Sequence, residues 1–339
     1  MRRISTIGMD LAKNVFHLHG VDERGKTVMR RKLGRARVVS FFANLSACLV
    51  GVEACCGANY WARRIEELGH EVRMISPQYV KAYVKTNKND YNDAEAICEA
   101  VSRPNMRFVP RKSQEQQDVQ MLHRIRRRLV ADRTATANQA RSFLLENGVA
   151  IAQGINRIRK QLPVIIDDFS NELSTITREC LSDLYTRLVS LDEQIVAYEQ
   201  RLKRVAKNQE MCRRLQTIDG VGVLGATAIF AAVGNGGEFK NGRHFAAWLG
   251  LVPKQHSSGG KTRLLGISKR GDRYLRTLLI HGARSLVGRC RKKEDRRSRW
   301  LQGVIERGGK NKASVAQANK TARIAWAVLT RGEEFKKAA

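Results

Sequence analysis

The chain has 339 residues, with 62 Lys and Arg against 32 Asp and Glu and a formal net charge of +30 at pH 7. Hydrophobic residues make up 42% of the sequence, which is enough to bury a core and excludes a disordered basic tail. The length predicts about two domains, and the charge predicts a polyanionic partner, either nucleic acid or an anionic membrane surface.

The sequence predicts neither secretion nor a membrane span. Asp10 and Lys13 interrupt the N-terminal segment where a signal peptide needs an unbroken apolar run. The longest apolar stretch, residues 221–234, is shorter than the ~20 residues that a bilayer span requires. The seven cysteines form no C-x-x-C pair, which disfavours a zinc site or a disulfide framework, and the adjacent Cys55 and Cys56 are interpreted as buried small residues. We therefore expect a cytoplasmic protein that meets nucleic acid and no membrane.

Residues 1–112 have the pattern of an α/β domain. Three strand-like runs come first, then helix and strand alternate. The predicted strands cover residues 4–10, 15–21, 27–33, 49–52 and 71–76, and the predicted helices cover residues 37–47 and 61–68. This order is expected of a ribonuclease H-like fold.

Residues 113–212 are rich in helix formers. A capping-box pattern at Ser113 and Gln116 opens a helix that runs to Asn147 and Gly148. A second helix carries apolar residues at strict three-four spacing: Leu181, Leu184, Leu188, Leu191, Ile195, Tyr198, Leu202 and Val205. This period predicts a coiled coil that joins subunits into a homodimer or homotetramer. An antiparallel helical hairpin within one chain is the alternative.

Residues 213–339 are predicted to form a second, mainly helical domain, which makes the fold class α/β plus α. Helices are expected at residues 272–287 and 313–329, and residues 254–339 hold 23 basic against 6 acidic side chains. Gly220 and Gly222 form a Gly-x-Gly turn between two predicted helices, which indicates a helix-hairpin-helix-like element that presents amide groups to a phosphate. A plain packing turn explains the same glycines.

Four acids in this acid-poor chain occupy informative places. Asp10 and Glu53 end predicted strands, and Asp90 and Asp93 lie three residues apart on one face of a starting helix. Converging carboxylates cannot all stay ionised without cations, and hard divalent ions prefer such oxygen ligands. The set predicts a two-ion Mg²⁺ site for phosphodiester chemistry, with Mn²⁺ as an alternative ion. The competing interpretation gives each acid a separate role, such as helix N-cap for Asp93.

Six motifs in one order complete the pattern. They read GMDLAK, GVEACCGANYW, NKNDYNDAEAI, LQTIDGVGVLGATAI, FAAWLGLVPKQHSSGG and SKRGDRYLR. From about residue 4 to residue 330 the chain resembles the DEDD transposases of the insertion-sequence-110 family, relatives of the Piv invertase. The segment EACCGANYW resembles that of the eleven-eleven subgroup of this family. The resemblance implies a RuvC-like domain at residues 1–112, a coiled coil within 113–212 and a transposase domain at 213–339. It also implies a bridge RNA that pairs with target and donor DNA.

The resemblance carries the acidic tetrad onto Asp10, Glu53, Asp90 and Asp93, and the nucleophilic serine onto Ser258. The segment after Ser258 is about one residue shorter than in the family, so Ser257 and Ser268 remain alternatives. His256 lies near enough in sequence to act as a base, but a solvated loop histidine is the favoured explanation. Because the serine and the acids are far apart in sequence, we expect a composite site with acids from one subunit and serine from another.

Nucleic-acid contacts are predicted at basic clusters, at the glycine turn and at one indole that can stack on an unpaired base. These residues are Arg124, Arg126, Arg127, Arg128, Gly220, Gly222, Lys261, Arg263, Lys269, Arg270, Arg273 and Trp300.

The leading hypothesis is an RNA-guided transposase that cuts and rejoins DNA with a Mg²⁺-bound acidic tetrad and a serine nucleophile. One alternative is a Piv-like invertase guided by protein alone. Another is a RuvC-like junction nuclease that uses the acids and water without a serine. A binding protein with a decayed acidic site is disfavoured because all four acids are present.

Overall fold

The computed structural model describes residues 3–85 and 89–336. The chain forms two compact units, Met1–Ser113 and Gln114–Ala339. The further division at residue 212 stays a prediction. Asn87 and Lys88, which open the third motif, lie outside the described residues, as do the outermost residues of the first and last predicted domains.

The first unit is built on a six-stranded mixed sheet with the spatial order β3-β2-β1-β4-β5-β6. In chain order the strands are β1 (Thr6–Asp10), β2 (Val15–Val21), β3 (Thr27–Gly34), β4 (Leu49–Glu53), β5 (Glu71–Ile75) and β6 (Phe108–Val109). β1 is antiparallel to β2 and parallel to β4, and β4 is parallel to β5. The sheet is compatible with the predicted RuvC-like domain. β6 was not predicted, because two residues carry no hydrophobic period.

In the part of this unit that the structure describes, the α-helices beside the sheet are α1 (Val38–Ala43), α2 (Ala58–Glu66), α3 (Pro77–Val80) and α4 (Asp90–Val101). The core residues Ile7, Met9, Phe16 and Leu18 are fully buried. α4 lies directly on β1, since a Cβ atom added at Gly8 would fall 2.1 Å from the carbonyl oxygen of Ala94. This close approach brings the start of α4 to the end of β1.

The second unit is mostly helical, as predicted. Its helices are α5 (Gln114–Glu146), α6 (Ile155–Asp167), α7 (Thr175–Asn208), α8 (Glu210–Gln216), α9 (Val223–Val233), α10 (Gly242–Trp248), α11 (Arg273–Arg289) and α12 (Arg296–Arg331). α12 is longer than its predicted range and is kinked at Gly309. Between α10 and α11 lies an unpredicted antiparallel hairpin of β7 (Pro253–Ser258) and β8 (Lys261–Ile267). Among the described residues, no helix combines the length and the apolar character needed to cross a membrane.

The heptad residues of α7 pack inside the chain. Leu181 and Leu188 are fully buried in a cluster with Leu144 of α5 and Ile158 of α6. Ion pairs run in opposite directions along α5 and α7: Arg126 with Glu199, then Arg133 with Asp192. The antiparallel hairpin is therefore what the heptad spacing encodes here, and a coiled coil between chains is not confirmed.

Candidate active site

Three of the four predicted acids converge in the first unit. Asp10 ends β1, and Asp90 and Asp93 lie in the first turn of α4. Each offers one carboxylate oxygen that lies within 4.8 Å of the others. The N-cap of α4 is Asn89, whose side chain accepts a hydrogen bond from the amide of Tyr91 at 3.0 Å. The interpretation of Asp93 as the N-cap is therefore wrong, and its carboxylate takes part in the acidic cluster.

Glu53 lies at the end of the neighbouring strand. Met9 of β1 is in register with Val52 of the parallel strand β4, so Asp10 and Glu53 follow paired residues at the same edge of the sheet. Among the described residues, the group of mutually close carboxylates contains Asp10, Asp90 and Asp93 but not Glu53. The structure thus brings three acids together and places the fourth beside them on the adjoining strand.

The negative charges of the clustered carboxylates repel one another, and this repulsion favours the binding of a cation. Burial, followed by the charges of Asp93 and Asp90, raises the pKa of the Asp10 carboxyl, while His17 lowers it. Partial desolvation of the Cys55 thiol, followed by the charges of Glu53 and Asp10, raises its pKa. Hard carboxylate oxygens in this number suit a divalent ion such as Mg²⁺ or Mn²⁺. The donor set therefore fits the predicted metal.

Two cysteines follow the end of β4. Cys55 and Cys56 are both exposed, so their interpretation as buried small residues is wrong. They lie in the connection to α2, outside the sheet that buries Val50 and Val52. Their place near the acids was not predicted.

Sequence reasoning missed a histidine at this cluster. His17 of β2 is in register with Asp10 of β1 and is only 7% exposed. Its Nδ1 atom lies 3.6 Å from Oδ2 of Asp90, and the ring of Tyr91 packs edge-on against it at 4.7 Å between centroids. The antiparallel register of the first two strands was the signal that could have found His17.

Ser258 lies at the tip of the β7–β8 hairpin in the second unit. It is exposed and pairs with Lys261 across Gly259 and Gly260, whose φ angles are 54° and 75°. Positive φ at two successive positions favours glycine. The two glycines therefore form a tight hairpin turn that presents the serine to solvent.

The alternative serines have different surroundings. The hydroxyl of Ser257 accepts a hydrogen bond from Nε2 of Gln255 at 2.8 Å. Ser268 lies at the base of the hairpin, where its amide donates to the carbonyl of Val252 at 2.8 Å. His256 is exposed and faces Arg263 across the hairpin. Of the three serines, only Ser258 adjoins the glycine turn.

A buried arginine fixes the hairpin base. Nη1 of Arg276, which is 8% exposed, donates to the carbonyl oxygens of Leu249 at 2.9 Å and Arg270 at 3.0 Å. The amide of Lys269 donates to the carbonyl of Gly250 at 3.2 Å. These bonds join the two sequence motifs that flank the hairpin. Sequence reasoning missed Arg276 because a basic residue in a basic segment carries no signal of burial.

The basic cluster on α5 is divided between internal and solvent contacts. Arg126 is half-buried and pairs with Glu199 at 2.6 Å. The exposed Arg128 pairs with Asp132 within α5. The guanidinium of Arg127 lies 5.8 Å from the ring centroid of Tyr274, and Arg124 is exposed. An exposed side chain is the one free to meet a phosphate, so the prediction of phosphate contacts suits Arg124 best. It suits Arg126 least, because this guanidinium is already paired inside the chain.

The glycine turn makes a packing contact. A Cβ atom added at Gly282 of α11 would lie 1.9 Å from the carbonyl oxygen of Gly220. The backbone of the turn at Gly220 is thus in direct contact with the backbone of α11. Gly220 has a φ of 86°. Gly222 is the N-cap of α9. The helix-hairpin-helix-like element is not confirmed, and the packing-turn alternative describes Gly220.

A cationic groove of about 1250 Å³ lies between the hairpin and α12. Its apolar lining includes Leu251 and Ile324, and Trp300 stands at its wall with the ammonium of Lys320 4.8 Å from the ring centroid. The charged residues that line it, all within the described chain, are Arg243, Lys312, Lys320 and Arg323. The remaining predicted contacts, Lys261, Arg263, Lys269, Arg270 and Arg273, are exposed.

Comparison with known proteins identifies the family. The family model described as "Transposase IS116/IS110/IS902 family" matches residues 212–299, and a DEDD transposase model of the IS110 group matches residues 7–147. A probable family 20 transposase of Pseudomonas aeruginosa is 50% identical over 329 residues, 97% of each chain. The transposase for insertion sequence element IS1111A of Coxiella burnetii is 50% identical over 99% of this chain and 92% of its own. A pilin gene-inverting protein of Moraxella bovis is 24% identical over 81% of this chain and 80% of its own.

These matches define a DNA transposase, a recombinase that acts on DNA. The chain belongs to the IS116/IS110/IS902 transposase family. The resemblance inferred from the six motifs is confirmed, and the match to the IS1111A transposase agrees with the predicted eleven-eleven subgroup.

Proposed function

We propose that this transposase cuts and rejoins DNA with a divalent-metal site on Asp10, Glu53, Asp90 and Asp93 and with Ser258 as nucleophile. The convergence of Asp10, Asp90 and Asp93 within 4.8 Å carries the proposal. A Mg²⁺ pair, when bound there, supplies positive charge for the phosphate and its leaving oxygen. The carboxylates would hold that charge in place, and Asp10 would anchor it to the end of β1.

The serine step balances without an energy-rich cofactor. The Ser258 Oγ forms a bond to phosphorus, the bond from phosphorus to a deoxyribose oxygen breaks, and that oxygen takes up the proton lost by the serine. Rejoining is the reverse attack by a deoxyribose hydroxyl on the phosphoserine, which restores the serine hydroxyl. The exposed hairpin tip supports this role, and Lys261 and Arg263 beside it can neutralise the phosphate.

Guidance by a bridge RNA that pairs with target and donor DNA is part of the proposal. The 23 basic side chains of residues 254–339 suit two nucleic acids, because base pairing reads the sequence while the protein holds the backbones. The groove at Trp300 offers cations for phosphates and an indole for an unpaired base. We also propose that a homodimer or homotetramer forms a composite site, and that the protein acts in the cytoplasm of a bacterium or archaeon, where its DNA lies.

A protein-guided DNA invertase is the second candidate, and the distant similarity to the Moraxella bovis pilin gene-inverting protein favours it. Sequencing the RNA that co-purifies with the chain separates the two. A single abundant RNA with segments complementary to both recombining DNAs supports guidance. Purification free of RNA with full recombination would establish the invertase-like mode.

The metal site is tested by removing one charge at a time from α4. Asp90→Asn and Asp93→Asn should each lower the recombination rate by more than about 100-fold at ordinary Mg²⁺, because each removes a ligand. Glu99→Gln is the matched control, since Glu99 lies on the same helix and pairs with Arg103 within one turn. Unchanged recombination by both Asp variants at ordinary Mg²⁺ would remove the metal site from the account.

A further inference from the structure

His17 is a buried imidazole with an unused nitrogen at the acidic cluster. Its Nδ1 atom is shielded from solvent and has no hydrogen-bond partner within the described part of the chain. Oδ2 of Asp90 lies 3.6 Å from this nitrogen, just beyond hydrogen-bond length. Burying a polar nitrogen without a hydrogen bond destabilises the folded chain. A hydrogen bond from this nitrogen to the neighbouring Asp90 carboxylate would remove that cost.

The two side chains differ in freedom. The imidazole of His17 is 9% exposed and is held by the sheet register with Asp10 and by the edge of Tyr91. The side chain of Asp90 is 65% exposed, so its carboxylate can rotate without meeting other protein atoms on the solvent side. A small rotation of Asp90 closes the gap, whereas His17 is fixed. The imidazole is therefore the rigid member of the pair.

Its neighbour on β2 has a different environment. His19 is also buried, and its Nδ1 atom likewise has no hydrogen-bond partner within the described residues, but its Nε2 atom lies 3.3 Å from the Thr27 hydroxyl. The α4 residue near it is Glu95, which pairs with Arg30 and Lys85. His19 therefore offers a matched control on the same strand, away from the acidic cluster.

We infer that His17 is a positioning residue, which donates the Nδ1 hydrogen to Asp90 and fixes that carboxylate for a divalent ion. The inference rests on the proposed metal site. Carboxylates that bind metals are commonly held by a hydrogen bond from behind, and losing such a partner weakens metal binding by about 10–100-fold. His17 touches neither substrate nor the reacting atoms in this role.

Binding of Mn²⁺ to the full chain, measured by the electron paramagnetic resonance of the free ion, tests the inference without catalysis. His17→Leu should weaken Mn²⁺ binding about 10-fold or more. His17→Asn should restore it, because the Asn amide nitrogen stands as many bonds from Cα as Nδ1 does. His19→Leu should leave Mn²⁺ affinity unchanged, with thermal unfolding used to verify that each variant is folded.

The outcomes separate the two claims. Asp90→Asn should also weaken Mn²⁺ binding, and equal binding by this variant and the natural chain would refute the metal site itself. Weaker binding by Asp90→Asn together with unchanged binding by folded His17→Leu would refute the positioning role alone. Weakening by both His17→Leu and His17→Asn, or equal weakening by His19→Leu, would also refute it.

Discussion

A single buried histidine joins three helices of the second unit. His123 of α5 places Nε2 at 2.9 Å from the Thr227 hydroxyl of α9 and Nδ1 at 3.0 Å from the Tyr274 hydroxyl of α11. Burial, and then the charge of Arg126, lowers the pKa of His123 to about 4. The neutral ring therefore serves as donor and acceptor at once, and it fixes the start of the helix that follows the hairpin.

The lowered pKa predicts acid sensitivity. A histidine in the unfolded chain has a pKa near 6.5. Between pH 6.5 and about 4, His123 is therefore protonated in the unfolded state and neutral in the folded state. His123 should therefore contribute stability above pH 6.5 that is lost as pH falls to about 4, on the order of 3 kcal/mol. Urea unfolding at a series of pH values measures it.

Two variants complete the pH experiment. His123→Gln should be less stable than the natural chain at pH 7, and the difference should shrink towards pH 4. His281→Gln, at an exposed position of α11, should follow the natural chain throughout. Parallel pH curves for the natural chain and His123→Gln would contradict the assignment.

At the residue scale, the sequence predicted what depends on local spacing. Asp90 and Asp93 share a helix face because they lie three residues apart, and Asp10 was placed correctly because it ends a strand. His17 and Arg276 were missed because their burial depends on strand register and on the fold of distant segments. The position of Glu53 outside the close group likewise depends on side-chain direction at a strand end, which no sequence pattern encodes.

At the element scale, the close contact between Gly220 and α11 shows that the glycine turn packs against a helix. The turn between α8 and α9 presses its carbonyl against Gly282, where a Cβ atom would come within 1.9 Å. A helix interior normally disfavours glycine, so this position is explained by close packing. The turn is thus held to the helix that follows the serine hairpin.

Two alanine substitutions in α11 test that contact. Gly282→Ala should destabilise the chain by about 1–3 kcal/mol, because the backbones must separate. Gly288→Ala lies in the same helix with nothing within 4 Å of the added Cβ atom, and it should be neutral or stabilise by up to about 1 kcal/mol. The free energy of urea unfolding checks both. Equal effects of the two substitutions would show that the close contact is absent in solution.

Elements were predictable where a hydrophobic period marks them. Short apolar runs revealed β1 and β2, which are buried almost throughout. The heptads revealed α7, although the period alone could not tell a partner helix in the same chain from one in another chain. β7 reads Pro-Lys-Gln-His-Ser-Ser and is exposed throughout, so no apolar alternation marks it as a strand. The hairpin forms because the glycine turn favours it and the contacts of Arg276 close its base.

At the scale of the whole molecule, the two parts of the proposed chemistry belong to different compact units. The acids and His17 lie in Met1–Ser113, and Ser258 with the cationic groove lies in Gln114–Ala339. The charge of +30 is likewise uneven, with most of the surplus in the segment that carries the serine. A polyanion bound there would bring a phosphate to the hairpin tip by electrostatic attraction.

The covalent protein–DNA adduct tests the central claim most directly. The chain, purified with its own RNA, is mixed with DNA that carries its element's ends, denatured and digested, and the modified peptide is read by mass spectrometry. We predict a DNA-linked phosphoserine at Ser258, absent from Ser258→Ala and retained in Ser257→Ala. An adduct that persists in Ser258→Ala, or one that maps to Ser257 or Ser268, would contradict the account.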